Sequence, residues 1–305
     1  MRVRLIGPGK AEAGGAVSEL RGPALIDGAG RTVSYLRLSV TDRCDLRCTY
    51  CMPERMQFLP KADVLSFEEL VRLVDGFIHR GITKLRITGG EPLVRRDVLL
   101  LLEHLSRRLQ TTGLKEVSLT TNGTRLEHFA VDLKRLGIER VNVSLDTLSP
   151  ETFRKVTRKD QFETVMRGIA AARDAGLQVK INTVALQHIN AHEIPAIIEW
   201  AHGQGFDVSL IETMPLGEGV ASRQDHYLSL RDVRESLAER WRLQPLADTT
   251  GGPSRYYRIA ETGGRLGFIS PLSHNFCDTC NRERVTCTGM MYTCLGHEGG
   301  VNLRQ

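Results

Sequence analysis

The chain has 305 residues, with 41 basic and 36 acidic side chains, a formal charge of +5, and only 6% aromatic residues. That length buries a core without staples and suits one large α/β domain or a domain with an extension; no apolar run reaches a membrane span, and no signal-peptide pattern opens the chain. The small positive excess suits an anionic small molecule or nucleic acid, and so few aromatics argue against stacking platforms for bases.

Residues 1–30, with "GPGKAEAGGAV" and "DGAG", lack periodicity and read as a flexible arm. Tyr35–Val40, "YLRLSV", is a buried strand running directly into "TDRCDLRCTYC". Ser66–Glu69, "SFEE", is a capping box that opens an amphipathic helix through His79. Strands then alternate with helices: strand Lys84–Thr88, helix from about Val98 to Leu109, strand Glu116–Thr120, helix Leu126–Leu136 and strand Arg140–Leu145. Ser149-Pro150 supplies an N-cap with proline at the first helical position. Helix Phe162–Ala175, strand Gln178–Val184, helix Ala191–His202 and strand Asp207–Glu212 complete the series. Six strands alternating with helices predict a parallel sheet with right-handed crossovers, as an open sheet or a partial barrel.

Chemically suggestive residues fall just after strands: the cysteine loop, Gly89-Gly90-Glu91, Thr120-Thr121-Asn122, Ser144 and Met214. Parallel α/β folds bind ligands at the carboxyl ends of strands, so one shared site is expected there. From Pro215 the pattern changes to a polar loop, a helix over Ser229–Arg240 and a hairpin of "SRYYRI" and "RLGFIS" around Thr262-Gly263-Gly264. The expected division is an arm at 1–30, a barrel at 31–214 and an extension closing over it at 215–305.

Seven cysteines cluster at Cys44, Cys48, Cys51 and at Cys277, Cys280, Cys287, Cys294. An odd, clustered count in a chain of this size favours metal ligation in a reducing cytoplasm over a disulfide framework. Three readings compete for the first group: structural zinc with a distant fourth ligand, a surface loop of reactive thiols, or an iron–sulfur cluster. A cubane held by three cysteines leaves one iron open to a bidentate ligand, which gives the missing fourth cysteine a use.

C-x3-C-x2-C after the first strand, with Tyr50 before the last cysteine, resembles the signature of the radical S-adenosylmethionine (radical SAM) superfamily, and "TGGEP" (Thr88–Pro92) resembles its second motif. In that superfamily the open iron chelates the methionine moiety, and cleavage of the sulfonium yields a 5′-deoxyadenosyl radical. "FCDTCNRERVTCTGMMYTCLG" resembles the second iron–sulfur motif of the GTP 3′,8-cyclase family, mapping onto Cys277, Cys280 and Cys294 and leaving Cys287 a bystander. "LRLSVTDRC", "KLRITGGEPLVRRD", "LTTNG", "VNVSLDT", "KINTV" and "IETMPLG" look like family blocks in family order, so the likeness spans about Tyr35 to Leu295.

The resemblance implies a partial TIM-type barrel of about six βα units, with two [4Fe-4S] clusters at its opposite mouths. It implies S-adenosylmethionine at Tyr50, Gly90, Ser144 and Met214, and GTP at Arg37, Arg86, Thr120, Lys180, Arg282 and Arg284. The implied reaction is abstraction of the ribose 3′ hydrogen and closure of the 3′,8 bond, the first step of molybdenum cofactor biosynthesis. An electron donor is an expected partner, nucleic acid and membrane are not, and a homodimer is left open. No catalytic acid is assigned. There is no P-loop, which argues against a GTPase but not against GTP as substrate.

Plainer readings stand beside these. Arg282 and Arg284 alternate and would share a solvated strand face, whereas Arg37 and Arg86 sit inside apolar strands where an unpaired charge is costly. His188, His192, His202, His226 and His274 show no metal spacing and read as surface or packing residues. Family members close on a Gly-Gly tail that reaches the active site, whereas here Gly299-Gly300 precede "VNLRQ". Clusters and substrate pocket are expected to survive without that tail, and turnover to depend on it. The rivals are another two-cluster radical SAM enzyme acting on a peptide, and a zinc-bound scaffold or RNA-binding protein.

Overall fold

The computed structural model describes residues 22–27, 30–214, 226–247, 252–273, 280–293 and 299–304. In chain order it begins with β1 (Tyr35–Ser39), α1 (Phe67–His79), β2 (Lys84–Thr88), α2 (Val98–Thr111), β3 (Glu116–Thr121), α3 (Leu126–Arg135) and β4 (Arg140–Ser144). Next come α4 (Pro150–Thr157), α5 (Phe162–Asp174), β5 (Gln178–Ala185), α6 (Ile194–Gly203) and β6 (Asp207–Glu212). The remainder holds α7 (Leu230–Arg240), β7 (Leu243–Pro245), β8 (Arg255–Ile259), β9 (Arg265–Ile269), β10 (Arg282–Val285), β11 (Met290–Tyr292) and β12 (Val301–Asn302).

The local signals act where the sequence places them. Ser66 accepts from Glu69 N while the Glu69 carboxylate takes the Ser66 amide, so both orphan donors at the start of α1 are satisfied. Ser149 caps α4 by accepting from Thr152 N at 3.3 Å, with Pro150 at a position that needs no amide hydrogen. Each strand turns one row of apolar residues outward: Leu36 and Leu38, Leu85 and Ile87, Val117 and Leu119, Val141 and Val143 are all buried. They form one core with Leu101, Leu105, Leu133 and Ile169 of the surrounding helices.

All the strands make one sheet, ordered β12-β11-β10-β1-β2-β3-β4-β5-β6-β9-β8-β7. From β10 through β9 every neighbouring pair is parallel, eight strands in succession. Among the described residues no pairing joins the two ends, so the barrel is incomplete. The extension is therefore built into the sheet itself. It enters the sheet at both edges, β9 beside β6 and β10 beside β1.

Two further expectations change. Arg282 is buried and Arg284 half-buried in β10, so neither lies on a solvated strand face. The described part of the amino-terminal arm is docked: Gly22 N donates to His79 O at 2.9 Å and Leu25 N to Arg80 O at 3.2 Å. The rest of the arm, Cys277, Cys294 and His274 lie outside the described residues.

Candidate active site

The cysteine loop leaves the carboxyl end of β1 and is fastened on all sides. Arg47 Nη1 donates to the carbonyls of Cys44 (2.6 Å) and Leu46 (2.8 Å), and its guanidinium lies over the Phe58 ring. Asp42 Oδ2 accepts from Leu59 N at 2.6 Å, and the amides of Arg47 and Thr49 reach the carbonyls of Thr157 and Val156 at the end of α4. Gly90 N donates to Thr41 O and Glu91 N to Arg43 O, bringing the two motifs into backbone contact. A Cβ at Gly90 would stand 2.3 Å from Arg43 O, so the glycine is required by this contact alone.

The loop carries Cys44 and Cys48 half-buried and Cys51 exposed, with Cys51 N turned back onto Cys48 O at 2.9 Å. Among the described residues no three ligating side chains close on a common point. The loop thus presents its thiols side by side without drawing them into a closed set. Burial pushes the Cys44 thiol up to about 11 and Cys48 higher still, with Cys51 and Cys44 among the neighbours that oppose a Cys48 thiolate. Cationic irons would reverse that preference, since thiolates are the form that metals bind. Three thiols on one secured loop, with a cleft beside them, fit a cluster that has one open corner.

Beside this loop lies a narrow cleft lined by Cys48, Tyr50, Asn122, Ser144, Asp146 and Thr147 among others. Tyr50 donates to Asp146 Oδ2 at 2.6 Å, and Val184 N donates to Asp146 Oδ1 at 2.8 Å. Burial raises Asp146 to about 6 despite both bonds, and burial with the Asp146 charge lifts the Tyr50 phenol well above its ordinary value. The structure therefore brings Cys48, Tyr50 and Ser144 together around one space. Gly90 braces the loop from behind, and Met214 lies half-buried two residues beyond β6 at the same mouth.

The inner face of the barrel is cationic. Register places Arg284, Arg37, Arg86 and Ser118 in one row across β10, β1, β2 and β3, and Thr120, Asn142 and Lys180 in the next. Arg86 Nε donates to Ser118 Oγ at 3.3 Å and its guanidinium faces the Tyr35 ring. Lys180 is buried and donates to the Tyr256 hydroxyl at 2.9 Å. Desolvation lowers Arg37 to about 9, assisted by Arg284, Arg86 and Arg282. Desolvation also lowers Lys180, assisted by Arg86 and Arg140. Among the described residues Arg37, Arg86 and Lys180 form no ion pair. Such a row is costly when empty and becomes favourable around a polyanion.

Cys280 precedes β10 and so lies at the amino end of the barrel, opposite the first loop. The buried Cys287 follows β10 at the carboxyl end, so a strand separates the two. Sequence reasoning passed over three groups: Asp146, which orients Tyr50; Tyr256, which holds Lys180; and Glu212. Glu91 was noted only as part of the Gly-Gly-Glu turn, and it is fully buried with Thr121 and Asn122 as donors. Burial would raise Glu212, but the amides of Ser273, Leu272 and Leu230 outweigh it and hold its carboxyl low. Glu91 and Glu212 sat inside blocks already singled out as strand ends; Tyr256 carried no signal beyond its strand.

An incomplete parallel barrel with a three-thiol loop after its first strand and a cleft beside it defines a radical SAM enzyme. The Radical SAM superfamily model matches residues 38–201, and Molybdenum Cofactor Synthesis C matches residues 206–305. GTP 3′,8-cyclase of Caulobacter vibrioides is 60% identical over 283 residues, covering 93% of this chain and 81% of the relative. That of Erythrobacter litoralis is 61% identical over 280 residues, covering 92% and 84%. Streptococcus suis SuiB bound to S-adenosylmethionine superposes with a TM-score of 0.64 at 14% identity, over 88% of this chain and 63% of that one, a likeness of fold. The chain belongs to the radical SAM superfamily and, within it, to the GTP 3′,8-cyclase family. Membership carries a [4Fe-4S] cluster and S-adenosylmethionine with it. No helix among the described residues is long and apolar enough to cross a membrane.

Proposed function

We propose that this chain converts GTP to (8S)-3′,8-cyclo-7,8-dihydroguanosine 5′-triphosphate, the first step of molybdenum cofactor biosynthesis. The observation that carries the substrate is the cationic row inside the barrel. GTP brings about four negative charges near neutral pH, and arginine forks match phosphate oxygens in pairs. Arg37, Arg86, Lys180, Arg282 and Arg284 hold the nucleotide, with Thr120 as a hydroxyl donor. Burial, assisted by the neighbouring arginines, depresses Arg37, and a bound polyanion offsets both effects.

Cys44, Cys48 and Cys51 hold the first cluster, and Cys277, Cys280 and Cys294 a second one at the opposite mouth. Tyr50, Gly90, Ser144 and Met214 form the S-adenosylmethionine site, with the serine hydroxyl available to a carboxylate or ribose and the methionine to the adenine face. When bound, these groups supply hydrogen abstraction from the ribose 3′ carbon. The chain's own part is to seat the ribose between the two mouths, to hold the triphosphate still and to keep water out of the lumen. The barrel of residues 31–214 provides the first cluster and most phosphate contacts; residues 215–305 provide Arg282, Arg284 and the second cluster. An electron donor, a reducing cytoplasm and a homodimer belong to the same reading.

The test is anaerobic reconstitution, dithionite reduction and incubation with S-adenosylmethionine, with and without GTP, quantifying 5′-deoxyadenosine and cyclised nucleotide. GTP-stimulated release with a cyclised product supports the reading. Release indifferent to GTP returns the substrate to the peptide alternative. Iron analysis near four rather than about eight per chain would remove the second cluster.

A further inference from the structure

Asn122 stands one residue past β3, where the cysteine loop, the Gly-Gly-Glu turn and the strand end converge. Its amide has one satisfactory orientation. Oδ1 accepts from the Thr124 amide at 3.0 Å and from the Thr124 hydroxyl at 2.8 Å. Nδ2 then faces Asp45 Oδ1 at 2.7 Å and Cys44 Sγ at 3.7 Å. Turned over, the oxygen would oppose a carboxylate and a sulfur, and the nitrogen would oppose the Thr124 N–H. The Thr124 hydroxyl has one hydrogen, shared between Asn122 Oδ1 and Asp45 Oδ2, the latter at 2.6 Å, while the Thr124 amide holds Oδ1 on its own account.

The backbone of Asn122 is held as firmly as its side chain. Its N–H donates to Glu91 Oε2 at 2.5 Å, while Glu91 Oε1 accepts from Leu93 N at 3.0 Å and the Thr121 hydroxyl at 2.9 Å. Both side-chain hydrogens are thereby assigned, one to Asp45 and the other to sulfur.

We propose that Asn122 is a positioning residue that donates a hydrogen bond to the Cys44 thiolate, fixing the first cluster ligand and raising the cluster's reduction potential. Reduction adds negative charge that is shared with the ligating sulfurs, so a donor aimed at one of them stabilises the reduced form more than the oxidised one. Asp45 reinforces the effect by holding the amide in the donating orientation. The proposal rests on the superfamily's cluster and not on the choice of GTP.

The test is an anaerobic redox titration of iron-replete Asn122→Ala, followed by the paramagnetic signal that responds to S-adenosylmethionine, which tags the cluster on this loop. At a fixed potential the reduced-to-oxidised ratio should fall about tenfold, a midpoint about 59 mV lower for one electron, with GTP affinity unchanged. A wild-type midpoint in the fully loaded variant overturns the proposal. If the alanine variant takes up no iron, Asn122→Leu, which keeps a similar volume, adds no charge and loses the donor, reads the same quantity. Failure of both to load iron also overturns it, because Asn122 would then serve only to build the loop.

Discussion

Replacing Glu91 by glutamine removes a titration that the fold has displaced. Glu91 is completely buried, and burial lifts its carboxyl from 4.5 to about 7 against the opposing donors Asn122 N, Leu93 N and the Thr121 hydroxyl. That displacement is worth about 3 kcal/mol, at about 1.36 kcal/mol for each pH unit. The folded carboxyl binds its proton more tightly than the unfolded one, so the contribution is fully present below pH 4.5. It is lost as pH rises through about 7. Glutamine has no such titration, but its amide nitrogen must oppose one of the three donors, a pH-independent cost of about 1–3 kcal/mol. Urea unfolding of the reduced, metal-free protein, followed by circular dichroism across that range, measures both terms. The stability advantage of wild type over Glu91→Gln should shrink by about 3 kcal/mol from acid to neutral pH. Asp146 and Glu283, raised by burial to about 6 and about 7, steepen both curves equally and cancel in the difference. Parallel curves would refute the reasoning.

Tyr256→Phe removes a hydroxyl from Lys180 without changing volume and should weaken GTP binding about tenfold in anaerobic equilibrium dialysis, while Lys180→Met weakens it further. An unchanged dissociation constant in both would move the triphosphate out of this part of the lumen. Gly90→Ala places a methyl 2.3 Å from Arg43 O and should displace the cysteine loop, lowering iron uptake on reconstitution and costing about 1–3 kcal/mol of stability.

What the sequence made legible follows the range of each interaction. The capping box at Ser66 and Glu69 acts over three residues, and α1 starts where that pair places it. Strands β2 and β6 were readable to the residue because each is a short apolar alternation closed by glycine or a change of pattern. In the extension the helix and the β8–β9 hairpin were legible because they close locally. The place of β10 was not, because its partners lie far away: Asn281 Nδ2 bonds Ser34 Oγ across 247 residues, and β10 has a neighbour on each side. Arg282 and Arg284 alternate as a solvated strand would, yet pairing with Tyr35 and Arg37 turns them into the barrel. In the site, the cysteines and strand-end blocks announced themselves by spacing, whereas Asp146 and Tyr256 act through single contacts to Tyr50 and Lys180 that no local pattern encodes.

The attachment of the last third of the chain to both edges of the sheet has a consequence for biosynthesis. Once β6 has emerged from the ribosome, six parallel strands have their helices, but β1 and β6 each lack an outer neighbour. Bare parallel edges invite pairing with other chains. β6 waits for β9, more than fifty residues later, and β1 waits for β10, some 240 residues after its own synthesis. Topologies that postpone such distant closures fold slowly. The nascent protein is therefore most exposed to self-association just before its final segment appears, and a chain interrupted ahead of Arg282 would keep an unsealed β1 edge.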